Sequence, residues 1–170
     1  MAASILIDGR SGSGKTEFAR AIAAQWPGAQ LVRLDDLYHG WDGLLAGSEA
    51  VVTLLTEHRW RRWDWEASRL AEWHSVDPQL PILVEGCGAL SGRNRELADW
   101  GLWVELDETS RKARAFERDG GAYNAHWDRW AAQEQAFIEL EHPQSIADAT
   151  IDGTDTNAAA RQWIGRLRAM

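Results

Sequence analysis

The segment Ser4-Ile-Leu-Ile-Asp8-Gly9-Arg-Ser-Gly-Ser-Gly14-Lys15-Thr16 decides the fold of this chain. Its first five residues form an apolar run that ends in an acid, which is typical of a buried strand. The next eight satisfy the pattern G-x-x-x-x-G-K-[ST]. Phe18, Ile22 and Trp26 then recur every four residues until Pro27-Gly28, and this spacing predicts a helix. The pattern therefore lies between a predicted strand and a predicted helix, which is the structural context that this motif requires.

The loop from Gly9 to Thr16 has the chemistry of a phosphate cradle. Its glycines let the backbone bend tightly, so that successive N–H groups converge on phosphate oxygens. The positive end of the following helix adds to this attraction, Lys15 can reach the terminal phosphates, and the Thr16 hydroxyl can bind Mg²⁺. We therefore predict ATP and Mg²⁺ as cofactors, with GTP left open as the nucleotide. The predicted nucleotide contacts are Gly9, Ser11, Gly12, Ser13, Gly14, Lys15, Thr16 and Phe18.

Length and patterning favour one compact domain over residues 1–170, since 45% of residues are hydrophobic and 26% are charged. Short apolar runs alternate with helical patterns, which predicts a three-layer α/β fold with a five-stranded parallel sheet flanked by helices. The predicted strands are Ser4–Asp8, Gln30–Leu34, Pro81–Glu85, Leu102–Leu106 and Ala147–Asp152. The later predicted helices are Ser48–His58, with a serine cap, Arg111–Arg118, Asn124–Leu140 and Asn157–Arg168. Arg59–Glu66 fits neither period, and we expect a loop or short helix there.

Charge and cysteine content exclude several classes of partner. The chain has 26 acidic against 18 basic residues, so no broad positive field attracts a nucleic acid. The lone Cys87 cannot form an internal disulfide. The N-terminus has no basic leader, and no run approaches the roughly 20 apolar residues that span a bilayer. We expect a cytoplasmic monomer or homodimer that binds a nucleotide and a small molecule, without membrane or nucleic acid partners.

Acidic residues follow two of the predicted strands. Asp35 and Asp36 come after the second strand, at the edge where open α/β sheets bind ligands. A carboxylate there can accept the proton of an attacking hydroxyl or contact a metal, or it can simply cap a turn. Glu85 ends the third strand and is the candidate metal-supporting acid, with Glu105 and Asp107 as rivals after the fourth. We favour Glu85 because its strand is more uniformly apolar and therefore more central.

A row of arginines follows the fourth predicted strand. Arg111, Arg114 and Arg118 recur at intervals of three and four residues, on one face of a helix. Such a row is usually a solvated face, but it can also close over phosphates and neutralise charge that develops in the transition state. We favour the second interpretation, which predicts a lid over about residues 109–125 with Arg114 and Arg118 as catalytic residues.

Tryptophan is unusually abundant, with 11 copies against 2 Tyr and 3 Phe. Trp60, Trp63, Trp65 and Trp73 lie close in sequence to Arg62. An indole there could stack on a nucleobase while the guanidinium holds an anionic group of the substrate. The alternative is that these rings only pack against the sheet.

In this order, these segments resemble the uridine kinase and phosphoribulokinase branch of the P-loop small-molecule kinases. The resemblance extends over most of the chain. It rests on Ile7-Asp8-Gly9 through Thr16, Asp35-Asp36-Leu37-Tyr38, Val84-Glu85-Gly86, the arginine row and the strand from Ala147 to Gly153.

The resemblance implies transfer of the γ-phosphoryl group of ATP to a hydroxyl of a small metabolite, with a nucleoside as the leading acceptor. By position it implies that Asp35 is the catalytic base and a metal contact, with Asp36 beside it. It also implies that Tyr38 lies near the acceptor, and that the adenine is held around Gly153 and Thr154.

This chain also departs from the family pattern. Arg62-Trp63-Asp64-Trp65 stands where Phe-Asp-His-Pro is common, although Asp64 can still bind sugar hydroxyls. Gly120-Gly121 replaces a more basic lid loop, and Ala115 stands where another arginine is common. The resemblance therefore supports phosphorylation of a small hydroxyl compound more strongly than of uridine. A kinase of a sugar or other alcohol, and a nucleotide-binding interaction module without transfer activity, are the alternatives.

Overall fold

The computed structural model of the protein describes residues 2–118 and 124–168, so the predicted lid substitution at Gly120-Gly121 lies outside the described residues. The strands are β1 Ser4–Asp8, β2 Gln30–Arg33, β3 Arg59–Asp64, β4 Arg69–Ser75, β5 Ile82–Glu85, β6 Trp100–Glu105 and β7 Ala149–Asp152. The helices are α1 Lys15–Ala23, α2 Leu44–Glu57, α3 Gly92–Leu97, α4 Glu108–Arg118, α5 Trp127–Glu141, α6 Pro143–Ile146 and α7 Thr156–Arg168.

The main sheet has the strand order β2-β5-β1-β6-β7, and all neighbouring strands in it are parallel. Each of the five predicted strands is present, with bounds within two residues of the expected ones. β1 lies at the centre, with β5 on one side and β6 on the other. The loop that follows β1 therefore leaves the sheet at its middle, between the carboxyl ends of two neighbouring strands.

Helices cover both faces of this sheet. Ile5 and Ile7 of β1 pack with α1 and α7 on one face, whereas Leu6 packs with α2 and α5 on the other. This alternation follows from the two-residue period of a strand. A central parallel strand is buried on both faces, which is why β1 reads as a continuous apolar run. The predicted three-layer architecture is confirmed.

The segment between α2 and β5 differs from the sequence prediction. Arg59–Glu66 was predicted to be a loop or short helix, which is wrong, because β3 and β4 form an antiparallel hairpin. The pairing register shifts between Arg61 and Trp63, so a β-bulge interrupts the two-residue alternation. Both faces of the hairpin are also partly exposed, which removes the contrast between apolar and polar positions that identifies a strand.

The start of α2 was also predicted wrongly. The helix begins at Leu44, after Gly43, and Ser48 lies buried inside it rather than capping it. Ser48 instead accepts hydrogen bonds from the side-chain amide of Asn94, 3.0 Å away at its carbonyl oxygen. A serine before an apolar run resembles a cap in sequence, and only the packing of α2 against α3 shows its other use.

Asp8, at the end of β1, joins two loops of the sheet edge. Its buried carboxylate accepts hydrogen bonds from the backbone N–H groups of Gly9, Gly88 and Leu90, at 2.7, 3.1 and 2.9 Å. Burial raises the pKa of Asp8 to about 6, against the opposing effect of these N–H donors. At neutral pH the group is therefore mostly ionised, as its purely accepting role requires. It fixes the start of the phosphate-binding loop to the loop after β5.

We expect Asp8→Asn to lower the free energy of unfolding at pH 8 by about 1–3 kcal/mol, because the new amide NH₂ would face an N–H donor and leave it unpaired. Denaturant titration measures the change. Asp99→Asn is the matched control: Asp99 is exposed, and a single oxygen accepts from both the N–H and the hydroxyl of Ser4. Equal losses in the two variants would contradict the role given to Asp8.

Candidate active site

The loop between β1 and α1 has the bent backbone that the sequence predicts. Gly12 and Gly14 adopt φ values of 79° and 98°, which L side chains rarely adopt. Gly12 also lies directly against the backbone of Arg111, where a Cβ atom would collide with a carbonyl oxygen. Both glycines are therefore required by conformation, and Gly12 by the close approach of α4 as well.

Lys15 lies half-buried at the first position of α1, and its Nζ is 3.4 Å from the carbonyl oxygen of Arg10. Burial opposes its charge, but the nearby acidic groups, among them Glu85, Glu134 and Asp35, outweigh this effect and raise the pKa of Lys15. The ammonium group is therefore charged at physiological pH and reaches across the inside of the loop.

Thr16, Glu85, Arg33 and Asp35 form a chain of polar contacts beside the loop. The Thr16 hydroxyl donates to Oε1 of Glu85 at 3.0 Å, and Nε of Arg33 donates to the same oxygen at 3.0 Å. The Nη2 atom of Arg33 then donates to Oδ2 of Asp35 at 2.6 Å. Glu85 is only 2% exposed, whereas the side chain of Asp35 is 61% exposed. The predicted metal-supporting residues are thus brought together. The rival acids Glu105 and Asp107 take no part in these polar contacts.

A cavity of about 560 Å³, here called the strand-side cavity, opens over these groups. Its polar wall includes Arg33, Asp35 and Glu85. Its aromatic wall consists of Tyr38, Trp41, Trp65 and Trp130.

A second cavity of about 380 Å³, the lid-side cavity, lies on the other side of the loop. It is lined by Gly12, Gly14, Arg114, Glu117, Gly153 and Thr154. Arg114 donates from Nη1 to the carbonyl oxygen of Gly153 at 2.8 Å, which joins α4 to the loop after β7. The two cavities share Lys15, Thr16, Glu17 and Arg118. They therefore meet at the lysine and threonine of the phosphate-binding loop.

The arginine row of α4 divides into two kinds of residue. Arg111 is buried and donates to the carbonyl oxygens of Leu106 and Ser11, at 3.1 and 3.4 Å, so it supports the loop from behind. Arg114 lines the lid-side cavity, and Arg118 lines both cavities. The two arginines predicted to face the phosphates are the two that line a cavity. Residues 119–123 of the predicted lid lie outside the described residues, and residues 124–125 belong to a short 3-10 turn, Asn124–His126.

The structure separates some predicted substrate residues from these cavities. Arg62 and Asp64 lie on the hairpin, where Arg62 donates to Glu72 at 2.6 Å and Asp64 accepts from the N–H groups of Glu66 and Ala67. Neither residue lines either cavity. Asp36 is next to Asp35 but also does not line them; burial raises its pKa, partly offset by the charge of Arg33.

Tyr38 and Phe18 have structural contacts. Tyr38 is buried, donates its hydroxyl to the carbonyl oxygen of Cys87 at 2.7 Å, and contacts the Trp130 ring edge-on at 4.6 Å between centroids. Only its ring is therefore offered to the strand-side cavity. Phe18 is fully buried in the core beside α7, so its side chain packs the helix under the loop and cannot contact a nucleotide.

Some residues of the loop from Gly9 to Thr16 line a cavity, and others are buried behind it. Gly12, Gly14, Lys15 and Thr16 line the lid-side cavity, and Ser11 lines the strand-side cavity. Gly9 and Ser13 lie behind them, and the Ser13 hydroxyl is buried without a hydrogen-bond partner among the described residues.

Glu134 of α5 contacts the loop from the rear. Its Oε1 accepts the backbone N–H of Ser11 at 2.7 Å, and its Oε2 accepts Nε of Arg10 at 3.0 Å. Burial alone would raise the pKa of Glu134, but the Ser11 N–H and the charge of Lys15 lower it. Cys87 donates to the same carboxylate at 3.2 Å, and burial raises the pKa of this thiol to about 12. The carboxylate is therefore ionised and the thiol keeps its proton.

Sequence reasoning assigned no role to Arg33 or to the rings of Trp41 and Trp130. Arg33 could have been found from its place at the end of β2, where parallel pairing puts it level with Glu85. Trp65 was one of the tryptophans left between two interpretations, and it lines the strand-side cavity while its Nε1 donates to the carbonyl oxygen of Asp35 at 2.8 Å. No periodicity in the sequence joins these three indoles, because they lie on three different segments.

Oxygen donors suited to Mg²⁺ converge at the loop. The Thr16 hydroxyl and the Glu85 and Asp35 carboxylates are the ligand types that this ion prefers, and Mg²⁺ usually takes one or two carboxylates together with substrate phosphates. Across residues 2–118 and 124–168, no group of three or more His, Cys, Asp or Glu side chains is arranged to hold a metal. A site completed by nucleotide phosphates fits this donor set. Within the described residues, no helix is long and apolar enough to cross a membrane.

The fold and the loop define a protein of the P-loop class. No model of a known protein family matches the chain. A uridine kinase from Streptococcus mutans is 30% identical to it over 66% of each chain. Among solved structures, a possible uridine kinase from Bacillus stearothermophilus aligns with a TM-score of 0.59 at 18% identity over 89% of both chains. A shikimate kinase from Acinetobacter baumannii aligns at 0.62 and 16% identity, over 99% of this chain and 94% of that one.

The chain belongs to the uridine kinase-like P-loop kinases, as its motifs indicate and the sequence relatives confirm. It spans about two thirds of the length of the curated relatives that it matches. The structural likenesses, all at 20% identity or less in sequence, establish the shared fold.

We expect Lys15→Ala to weaken ADP binding by roughly 10- to 100-fold, because it removes a charged hydrogen-bond donor from the phosphate cradle. Calorimetric titration with ADP measures the affinity. The chain has one other lysine, Lys112, which lies over the Phe116 ring and lines neither cavity, so Lys112→Ala is the matched control. Unchanged ADP affinity in the Lys15 variant would exclude the cradle as the nucleotide site.

Proposed function

We propose that this protein transfers the γ-phosphoryl group of ATP to a hydroxyl of a small metabolite, with a nucleoside as the leading acceptor. The observation that carries the proposal is the meeting of two cavities at Lys15 and Thr16. One cavity leads to the loop after β7, and the other leads to Asp35 and the aromatic wall. A donor nucleotide on the first side and an acceptor on the second bring their reacting atoms together at the phosphate-binding loop.

Asp35 is the proposed general base. Its carboxylate lines the strand-side cavity and is more than half exposed, so a substrate hydroxyl can reach it. The hydroxyl proton passes to Asp35 as the oxygen forms its bond to the γ-phosphorus, and the bond from that phosphorus to the β,γ-bridging oxygen breaks to release ADP. A base in this position contributes typically 10²- to 10⁴-fold to the rate.

Thr16, Glu85 and Asp35 are the residues that would hold Mg²⁺, the first through its hydroxyl and the acids directly or through water. Mg²⁺ neutralises charge on the β- and γ-phosphates when bound. Glu85 accepts a hydrogen bond from the Thr16 hydroxyl, which leaves the oxygen lone pairs of Thr16 free to face the ion. Lys15 holds the terminal phosphates from inside the loop.

Arg114 and Arg118 are proposed to neutralise charge on the transferring group. Both line the lid-side cavity, and Arg118 also lines the strand-side cavity, at the junction where the phosphoryl group moves between them. A guanidinium suits this role, because its planar donors match phosphate oxygens in pairs.

The aromatic wall supports an acceptor with a flat or apolar face. Indole rings stack on nucleobases, and they also pack against the apolar faces of other rings. Because the same rings can pack against the apolar face of a ring that is not a nucleobase, a sugar or another alcohol is the second candidate acceptor. The lone Cys87 fits the cytoplasmic location that belongs to this proposal, since cytoplasmic proteins rarely carry disulfides. A monomer or homodimer stays a prediction.

We expect Asp35→Ala to retain ADP affinity in the absence of Mg²⁺ within about threefold, because the loop from Gly9 to Thr16 is left intact. We expect it to lose transfer by roughly 10²- to 10⁴-fold, because the proton acceptor is removed. Coupled measurement of ADP release, with the acceptor present, checks this. Asp128→Ala is the control, since Asp128 is exposed and lines neither cavity. Full transfer activity in the Asp35 variant would remove Asp35 as the base.

The acceptor is identified by measuring ADP release from ATP and Mg²⁺ with separate nucleosides, sugars, hydroxy acids and polyols. We expect release that depends on one acceptor class, with the phosphorylated product detected by mass spectrometry. Nucleotide binding without acceptor-dependent release from any class would favour the interaction module instead.

A further inference from the structure

Arg33 pairs with both acids of the predicted metal site. It is the last residue of β2, and parallel pairing places it level with Glu85 at the end of β5. Its guanidinium donates to Glu85 at 3.0 Å through Nε and to Asp35 at 2.6 Å through Nη2. One planar cation therefore contacts two carboxylates at once.

The charges around the phosphate-binding loop explain why a cation is needed there. Glu85 is almost fully buried, and a buried carboxylate without a counter-charge is strongly unfavourable. Its other direct partner is the neutral hydroxyl of Thr16. Oδ2 of Asp35 has no direct hydrogen-bond partner among the described residues besides Arg33. Arg33 thus supplies the positive charge that is hydrogen-bonded to both groups, and the charge of Lys15 acts on them without a hydrogen bond among the described contacts.

From this geometry we infer that Arg33 is the counter-cation of the magnesium site: it neutralises Asp35 and Glu85 while no metal is bound, and it competes with Mg²⁺ for them. The inference rests on the proposed function for the identity of the metal, and it adds a positioning residue to that site.

Competition follows from the shared ligands. The two carboxylates that Mg²⁺ requires are those that the guanidinium contacts, and two cations in one small site repel each other. The Arg33 side chain is 34% exposed, so it has room to withdraw from Asp35 into the cavity when the ion enters. In the absence of the ion, the pair with Arg33 keeps the Asp35 carboxylate at the edge of the cavity.

The inference is tested by comparing the affinity for the nonhydrolysable ATP analogue AMP-PNP with excess EDTA and with saturating Mg²⁺. The dissociation constant measured with EDTA, divided by the one measured with Mg²⁺, reports how strongly the metal supports binding. We expect Arg33→Met to increase this ratio by roughly three- to tenfold, the size expected for losing one partly screened positive charge a few ångströms from the ion. Arg33→Lys should keep the ratio within about twofold of that of the unaltered protein, because its charge is retained.

Arg20→Met is the matched control. Arg20 also lines the strand-side cavity, but it forms no ion pair with Asp35, Glu85 or another described acid, so its loss should change the ratio by less than about twofold. Circular dichroism establishes that each variant is folded, and Arg33→Gln replaces Arg33→Met if the latter does not fold. An unchanged or smaller ratio in the folded, uncharged Arg33 variant overturns the inference, as does an equal increase in the Arg20 variant.

This measurement uses no acceptor, so whether the proposed transfer occurs is tested in a separate experiment. If no acceptor is phosphorylated but the ratio rises as expected, the kinase proposal fails and the role of Arg33 stands. If transfer occurs and the ratio does not rise, the role of Arg33 fails and the kinase proposal stands.

Discussion

The bent backbone from Gly9 to Thr16 is the constraint on which the rest of the structure depends. Side chains of the surrounding protein hold this bend. Asp8 fixes its start through three backbone N–H groups, and Glu134 accepts the Ser11 N–H from behind. Arg111 donates to the Ser11 carbonyl oxygen from the side of α4. Three charged side chains thus preserve one turn: Asp8 lies directly before it, whereas Arg111 and Glu134 come from distant helices.

Those supports also explain why buried charges are concentrated at this edge of the sheet. A hydrogen bond to an ionised group is shorter and stronger than one between neutral groups. Asp8, Glu134 and Arg111 are almost fully buried, and each forms hydrogen bonds with backbone groups; Glu134 also forms an ion pair with Arg10. An apolar core cannot orient N–H and C=O groups of a loop in this way. Asp8, Glu134 and Arg111 therefore orient the backbone of the loop, whereas the apolar layers only fix where the loop lies in the fold.

The sequence predicted the parts of the structure that are local or strongly periodic. β1, the loop and α1 are contiguous, so their pattern and their structure coincide. The acids Asp35 and Glu85 could be placed at one edge because parallel strands end together. The contacts that complete the site could not be predicted, since Arg33, Trp41, Trp65 and Trp130 meet only through tertiary packing. The β3–β4 hairpin was missed because its bulge and its partial exposure remove the periodic pattern of a strand.

The hairpin has a consequence for how this protein family can diversify. β3 and β4 pair with each other and form a sheet separate from the five parallel strands. Trp65, in the turn between them, is nevertheless the part of the hairpin that lines the strand-side cavity. Mutations and changes of length in the hairpin that keep the contact of Trp65 with Asp35 can therefore accumulate during evolution without disturbing the loop from Gly9 to Thr16 or the central strands. Substrate preference can drift in one region while the machinery for handling phosphate is inherited intact.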